Sequence, residues 1–171
     1  MAGSRKIGDT WCVWPSNPKG LIEIIGGSYL AAQPNITYRR LIEGLVERNL
    51  AVHSWIYIPG FDHQAQANQA WQEFRTCKKI LESRLGAITL STRLGHSLGC
   101  KLHLLAPDGG RNCKALIALS FNNFTADQSI PMFKTITNKF RFQSEFSPSP
   151  QETMRSIKQL YLQPNNLLIR F

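Results

Sequence analysis

Residues 94–106 read LGHSLGCKLHLLA, and this stretch decides the predicted fold. Gly95, Ser97 and Gly99 form the G-x-S-x-G pattern of a hydrolase nucleophile elbow, a sharp strand-to-helix turn that holds a serine in a strained backbone conformation. Glycines flank the serine in such turns because a side chain there would collide with the neighbouring strand or helix. Ser97 is therefore the candidate nucleophile, and an ordinary glycine-rich turn at a strand end is the alternative.

Strand-like and helix-like segments alternate along the chain on both sides of this pattern. Runs of apolar, β-branched and aromatic residues predict strands at 10–15, 21–25, 50–58, 87–97, 114–121 and 166–171. Apolar residues at helical spacing predict helices at 36–49, 63–84, 98–107 and 150–162. The alternation predicts a single α/β domain over residues 1–171, in which helices cover both faces of a mostly parallel sheet.

Residues 122–150 depart from this alternation and are polar and aromatic, with three prolines. We expect them to form a cap over the pocket of the domain. The phenylalanines in and beside the cap favour a small, apolar carbonyl substrate, while ordinary packing of the cap on the core accounts for them equally well. They are Phe121, Phe124, Phe133, Phe140, Phe142 and Phe146.

A glycine-rich loop follows the predicted strand 21–25, with Gly26 and Gly27 at its start. Hydrolases of this type hold the substrate oxyanion on two backbone N–H groups, one of them from a loop after an earlier strand. We predict that the N–H groups of Leu98 and of Ser28 or Tyr29 form this oxyanion hole. A tight strand-to-helix turn without a ligand is the alternative.

Asp62 and His63 follow another predicted strand, 50–58, at the edge of the sheet where ligands gather in open α/β folds. Asp62 also stands at the start of a long predicted helix, where its carboxylate would cap backbone N–H groups. The two roles are compatible, and both residues are candidates for the pocket.

Several segments together resemble an α/β-hydrolase-like family called domain of unknown function 1350, from cyanobacteria and plant chloroplasts. They read WCVWP, GLIEIIGGSYLAAQPNITYRRLIEGLVERNLAV, GFDHQAQA and LGHSLGCKLHLL, and the resemblance runs from about residue 11 to residue 171. It implies an α/β-hydrolase fold with Ser97 as the candidate nucleophile, in the cytoplasm or, for a plant protein, the chloroplast stroma. It implies no known substrate.

The histidine that should activate Ser97 is missing from its usual place. In α/β-hydrolases the triad follows the chain order Ser, then Asp or Glu, then His. The histidine after Ser97 is His103, in the helix behind the elbow, where we expect it to be a packing or surface residue. His96 should point away from the serine, and His53 should be buried and hydrogen-bonded within a strand. His63 is the remaining candidate base, although it precedes the serine.

The acid of the triad is missing as well. Asp108 closes a helix, Asp127 lies in the cap, and Asn122-Asn123 stand where some hydrolases carry the acid. The usual place follows the strand 166–171, at the end of the sequence. We therefore expect a C-terminally truncated domain whose acid and histidine lie downstream, and which is inactive as it stands.

Composition narrows the function further. The chain of 171 residues has 20 Lys and Arg against 11 Asp and Glu, a net charge of +9. The basic residues are scattered without a nucleic-acid-binding signature, so we expect no nucleic-acid partner. No segment has the length of a membrane span, and the four cysteines lack metal-site spacing. We predict no metal and no cofactor, and the sequence leaves the oligomeric state open.

Two functions therefore remain. The first is a serine hydrolase acting on esters or thioesters, with Ser97 as nucleophile. The second is a non-catalytic ligand-binding or scaffold protein on the same fold, since fold does not fix function.

Overall fold

The structure, a computed structural model, describes residues 3–130 and 145–170. Seven strands in this part of the chain form one sheet. They are β1 (Gly3–Ile7), β2 (Thr10–Trp14), β3 (Gly20–Ile25), β4 (Leu50–Trp55), β5 (Ser91–His96), β6 (Ala115–Leu119) and β7 (Asn166–Ile169). Their order is β1-β2-β4-β3-β5-β6-β7. β2 pairs antiparallel with β1 and β4, and all the other pairs are parallel.

Six α-helices and one 3₁₀ turn connect these strands in the described residues. The helices are α1 (Pro34–Thr37), α2 (Arg39–Glu47), α3 (His63–Leu85), α4 (Leu98–Leu104), α5 (Ala126–Ser129) and α6 (Pro150–Leu160), and the 3₁₀ turn is Tyr29–Ala32. The fold is a mostly parallel sheet with helices on both faces, as the alternation of segments predicts.

The central strand β3 divides the core between the two faces of the sheet. Its side chains alternate, so Leu21 and Ile25 pack in clusters with residues of α3, and Ile25 also with α4. Ile22 and Ile24 pack on the opposite face, in a cluster with Ile42 of α2. All six residues of β3 are buried, as expected for a parallel strand covered on both sides.

The structure corrects the predicted helix 36–49, which is two helices separated at Tyr38. Tyr38 leaves helical geometry with φ −107° and ψ 23°, and its hydroxyl lies 2.7 Å from Nδ1 of His96. The β-branched Ile36 and Thr37 before it are weak helix formers. The helix is thus interrupted at the residue whose side chain contacts His96, 58 positions further along the chain.

The structure also corrects both ends of the sheet. The strand β1 was not predicted, because its polar sequence GSRKI lies at an edge and is largely exposed. The other edge strand, β7, lies in the segment read as a buried strand. It is exposed instead, and Leu167 and Leu168 are 53% and 48% accessible.

A network of buried charges ties β5 to the segment after α4. Arg93 of β5 forms two hydrogen bonds to Asp108, at 2.9 and 2.8 Å, and its Nε lies 3.5 Å from a carboxylate oxygen of Glu23. Asp108 also accepts from the backbone N–H groups of Gly110 and Asn112. Burial raises the pKa of Asp108, but the hydrogen bonds and the charge of Arg93, together with the N–H groups of Gly110 and Asn112, outweigh this and hold the pKa below its usual value. The predicted helix-closing residue is thus half of a buried ion pair.

Candidate active site

Ser97 occupies the turn between β5 and α4, at the carboxyl edge of the parallel strands. Its backbone has φ 51° and ψ −116°, in a region that non-glycine residues rarely adopt. A conformation of this kind is unfavourable by about 1–3 kcal/mol and persists only where surrounding structure enforces it. Here the conformation of Ser97 is held on one side by β5, which pairs in parallel with β3 and β6, and on the other side by α4.

The two flanking glycines are required by close backbone contacts. A Cβ atom on Gly95 would lie 2.6 Å from Cα of Cys100, and a Cβ atom on Gly99 would overlap the carbonyl oxygen of Ile25. Real Cβ atoms essentially never approach backbone atoms so closely. The turn around Ser97 therefore packs α4 directly against β3 and β5, which is why the sequence has glycines here.

A cavity of about 560 Å³ opens beside Ser97. This volume suits a small organic ligand. Five segments line it, namely the loop after β3, the loop before α3 with the start of α3, the β5–α4 turn with α4, the segment from β6 through α5, and the segment before α6. The lining residues are Gly27, Ser28, Tyr29, Pro59, Gly60, Phe61, His63, His96, Ser97, Leu98, Lys101, Asn122, Asn123, Phe124, Gln128, Ser129, Ile130 and Phe146.

The predicted oxyanion donors lie at this cavity. Leu98 begins α4, so its N–H belongs to the first helical turn and has no acceptor within the helix. Ser28 and Tyr29 line the cavity from the loop after β3. The hydroxyl of Tyr57 donates to the carbonyl oxygens of Gly26 and Gly27, at 3.0 and 3.1 Å, and so fixes the backbone of that loop.

The Ser97 hydroxyl has a partner that the sequence did not reveal. Nδ2 of Asn122 donates to Ser97 Oγ at 3.1 Å. Asn122 follows β6, where the sequence analysis looked for a catalytic acid and found an amide. An amide donor leaves the hydroxyl proton of Ser97 free to reach a base, but it cannot accept that proton itself.

His63 lines the cavity but does not pair with Ser97. Its ring packs against Phe146 with centroids 4.3 Å apart and the two ring planes tilted by 31°. Burial, and next the charge of Lys101, lower the pKa of His63 to about 4. Asp62 acts as the helix cap, accepting from the N–H of Ala65 at 2.8 Å, and does not line the cavity.

The other three histidines differ partly from expectation. His96 lines the cavity with Ser97 rather than pointing away from it, and bonds Tyr38. His53 is buried as predicted but lacks the predicted hydrogen bond, and burial lowers its pKa to about 3. His103 is a buried packing residue whose Nε2 lies 3.2 Å from the carbonyl oxygen of Glu23.

Lys101 is the residue of this cavity that the sequence analysis missed. It lies in α4, one turn after Ser97, and lines the same cavity although it is only 2% exposed. Its Nζ donates to the carbonyl oxygen of Pro148 at 3.2 Å and lies 5.7 Å from the centre of the Phe146 ring. Burial lowers the pKa of Lys101 to about 8, against a smaller raising effect of Glu145.

Part of the predicted cap cannot be compared with the structure. Residues 131–144, which include Phe133, Phe140 and Phe142, lie outside the described residues, as does Phe171. Phe124 and Phe146, by contrast, do line the cavity. Within 3–130 and 145–170, no cluster of His, Cys, Asp and Glu is suited to hold a metal ion, and no helix has the length and apolar character that crossing a membrane requires.

The sequence profile of the family described as "Protein of unknown function (DUF1350)" matches residues 4–171. The chain belongs to this family. The resemblance seen in the sequence is thereby confirmed. Among curated proteins, no sequence matches the chain significantly.

Solved structures similar to this member of the family include esterases and lipases. Carboxyl esterase 2 from the fungus Tuber melanosporum matches with a TM-score of 0.63 at 19% identity, over 99% of this chain and 65% of that one. Bacillus licheniformis lipase matches with a TM-score of 0.65 at 11% identity, over 94% and 68%. The Francisella virulence factor BioJ matches with a TM-score of 0.60 at 16% identity, over 99% and 64%. The chain thus has the α/β-hydrolase fold and spans about two thirds of the length of these proteins.

Proposed function

We propose that this protein is a serine hydrolase acting on esters or thioesters, with Ser97 as the nucleophile. The observation that carries the proposal is the strained backbone of Ser97, enforced between Gly95 and Gly99 at the wall of a cavity of about 560 Å³. Backbone strain at a serine between a strand and a helix is typical of a nucleophile elbow, in which it presents the hydroxyl to a substrate.

The reaction would begin with attack of Ser97 Oγ on the substrate carbonyl carbon, while the hydroxyl proton passes to a base. Negative charge then develops on the carbonyl oxygen. The N–H groups of Leu98 and of Ser28 or Tyr29 would donate to it, which stabilises the tetrahedral intermediate. The alcohol or thiol then leaves with a proton, and water hydrolyses the acyl-enzyme.

The base is the missing part of this machinery in the described residues. No histidine nitrogen there lies within hydrogen-bond distance of Ser97 Oγ, and the pKa of about 4 makes His63 a weak proton acceptor. A serine without a base stays almost entirely un-ionised at neutral pH. We therefore expect these residues alone to give little turnover, and full activity to require a base that they do not provide.

A fluorophosphonate probe tests the role of Ser97, because it forms a covalent bond to an activated serine with loss of fluoride. The complete protein is treated with the probe, and the mass increase is measured. We expect labelling that Ser97→Ala abolishes. Ser28→Ala is the matched control, since it removes another hydroxyl at the same cavity but keeps the backbone N–H, and it should still be labelled.

The second candidate is a non-catalytic binding protein on the same fold. The amide of Asn122 on Ser97 Oγ favours it, because an amide supplies neither a base nor an acid. Equal labelling of the unmodified protein and Ser97→Ala, or no labelling of either, would replace the hydrolase by this second candidate.

A further inference from the structure

Lys101 is a buried cation whose charge the described protein leaves largely uncompensated. An ammonium group has three N–H donors, and among the described residues one of them is used, on the carbonyl oxygen of Pro148. Lys101 forms no ion pair within 3–130 and 145–170. Glu145 acts on it at longer range, and its carboxylate is already bound to the N–H groups of Ala126 and Phe146.

The remaining cap segment does not supply a carboxylate. Residues 131–144 read PMFKTITNKFRFQS and contain three basic residues and no acidic one. A buried charge without a partner is strongly unfavourable, so proteins keep it mainly at functional sites. The compensating charge of Lys101 is then expected on a ligand.

Lys101 is also placed to act on a ligand of Ser97. Ser97 is the N-cap of α4, and Lys101 is the fourth residue of that helix. Both line the same cavity.

We propose that Lys101 binds a carboxylate at the far end of the substrate, so that the cavity selects half-esters or half-thioesters of dicarboxylic acids over neutral esters. The inference rests on the proposed function of Ser97. One lysine offers one positive charge, which matches a carboxylate. The apolar wall formed by Phe124 and Phe146 suits the methylene chain between the two ends of such a substrate.

A binding measurement tests this proposal. Because it does not require turnover, its result is independent of whether Ser97 is a nucleophile. The experiment uses the full chain carrying Ser97→Ala, which cannot consume the ligand. Calorimetry compares monomethyl adipate, which has one carboxylate, with dimethyl adipate, which is neutral and nearly the same shape. We expect the carboxylate to bind at least about 10-fold more tightly, the usual strength of a charge-assisted hydrogen bond.

Lys101→Met removes the charge and keeps an apolar side chain of similar length. In this variant we expect the preference for monomethyl adipate to disappear, while the affinity for dimethyl adipate changes less than twofold. Lys114→Met is the matched control, since it removes one positive charge from an exposed position, and it should keep the preference. Lys101→Arg should recover part of it.

A pH series gives a second measurement that needs no Lys101 variant. The pKa of Lys101 is about 8, so its charge, and with it the preference for the carboxylate ligand, should decline as the pH rises from 7 towards 10. The other titratable groups that line the cavity are His63, His96 and Tyr29, and Glu145 acts on Lys101 from longer range. His63, with a pKa of about 4, stays neutral over this range.

Three results would overturn the proposal. They are a preference that survives Lys101→Met, an equal loss in Lys114→Met, and failure of both adipate esters to bind at millimolar concentration. A protein that shows the preference but is never labelled at Ser97 would contradict the hydrolase alone and leave the carboxylate site standing.

Discussion

Two buried basic side chains eight residues apart, Arg93 and Lys101, have opposite surroundings. Arg93 is 4% exposed and meets two carboxylates, Asp108 through paired hydrogen bonds and Glu23 at 3.5 Å. Lys101 is 2% exposed and meets one backbone carbonyl. The two residues therefore use a buried charge differently. Arg93 joins β5 to the segment after α4, whereas Lys101 faces a cavity and has no ion pair among the described residues.

The two residues should therefore respond to removal in opposite ways. Loss of a paired charge leaves its partners buried and unpaired, which destabilises the fold. Loss of an unpaired charge relieves a desolvation penalty, which stabilises it. A buried charged residue that weakens the fold and lines a cavity is a candidate for a role in ligand binding or catalysis.

The largest effect is expected for Arg93→Met, which leaves Asp108 and Glu23 without their cation. We expect the free energy of unfolding to fall by about 3–5 kcal/mol, the usual consequence of breaking a buried ion pair. Urea denaturation measures it. Arg75→Met is the control, because Arg75 is exposed on α3 and stacks on Trp71, and its removal should lower the free energy by less than about 1 kcal/mol. A loss below about 1 kcal/mol in Arg93→Met would contradict a structural role for the network.

A smaller change of the opposite sign is expected for Lys101→Met. We expect the free energy of unfolding at pH 7 to rise by about 1–3 kcal/mol, because burial lowers the pKa of Lys101 from 10.5 to about 8. Between these two pH values the unfolded chain binds more protons than the folded chain, so the stability of the unmodified protein rises with pH. The advantage of the variant should shrink over the same range. Urea midpoints at pH 7 and pH 9.5 measure both effects, and a destabilised variant at pH 7 would show that Lys101 is paired after all.

Patterns within a short segment made much of this fold predictable. The alternation of strand-like and helix-like segments is a local pattern, because the spacing of apolar residues within one segment shows which of its faces is buried. The G-x-S-x-G turn at Ser97 is likewise read from five consecutive residues. Asp62 as the cap of α3 is local too. The break at Tyr38 and the exposed strand β1 were missed because they depend on a distant side chain and on pairing at a sheet edge.

The contacts that complete the site join residues far apart in sequence. Asn122 reaches Ser97 from 25 residues away, and no local spacing indicates that hydrogen bond. Lys101 did give a local signal, which the sequence analysis overlooked. The helix sequence LGCKLHLL is apolar almost all round, which is typical of a buried helix, and a single lysine within it is therefore a buried charge.

The most direct test of the account asks whether Ser97 and Lys101 act in one pocket. The rate of fluorophosphonate labelling at Ser97 is measured with and without monomethyl adipate, in the unmodified protein and in Lys101→Met, and the labelled peptide is identified by mass spectrometry. The account predicts that the carboxylate ligand slows labelling of Ser97 severalfold in the unmodified protein, and that the same concentration gives no protection in Lys101→Met. Labelling at Ser97 that monomethyl adipate leaves unchanged in the unmodified protein, or protection that persists without Lys101, would contradict it.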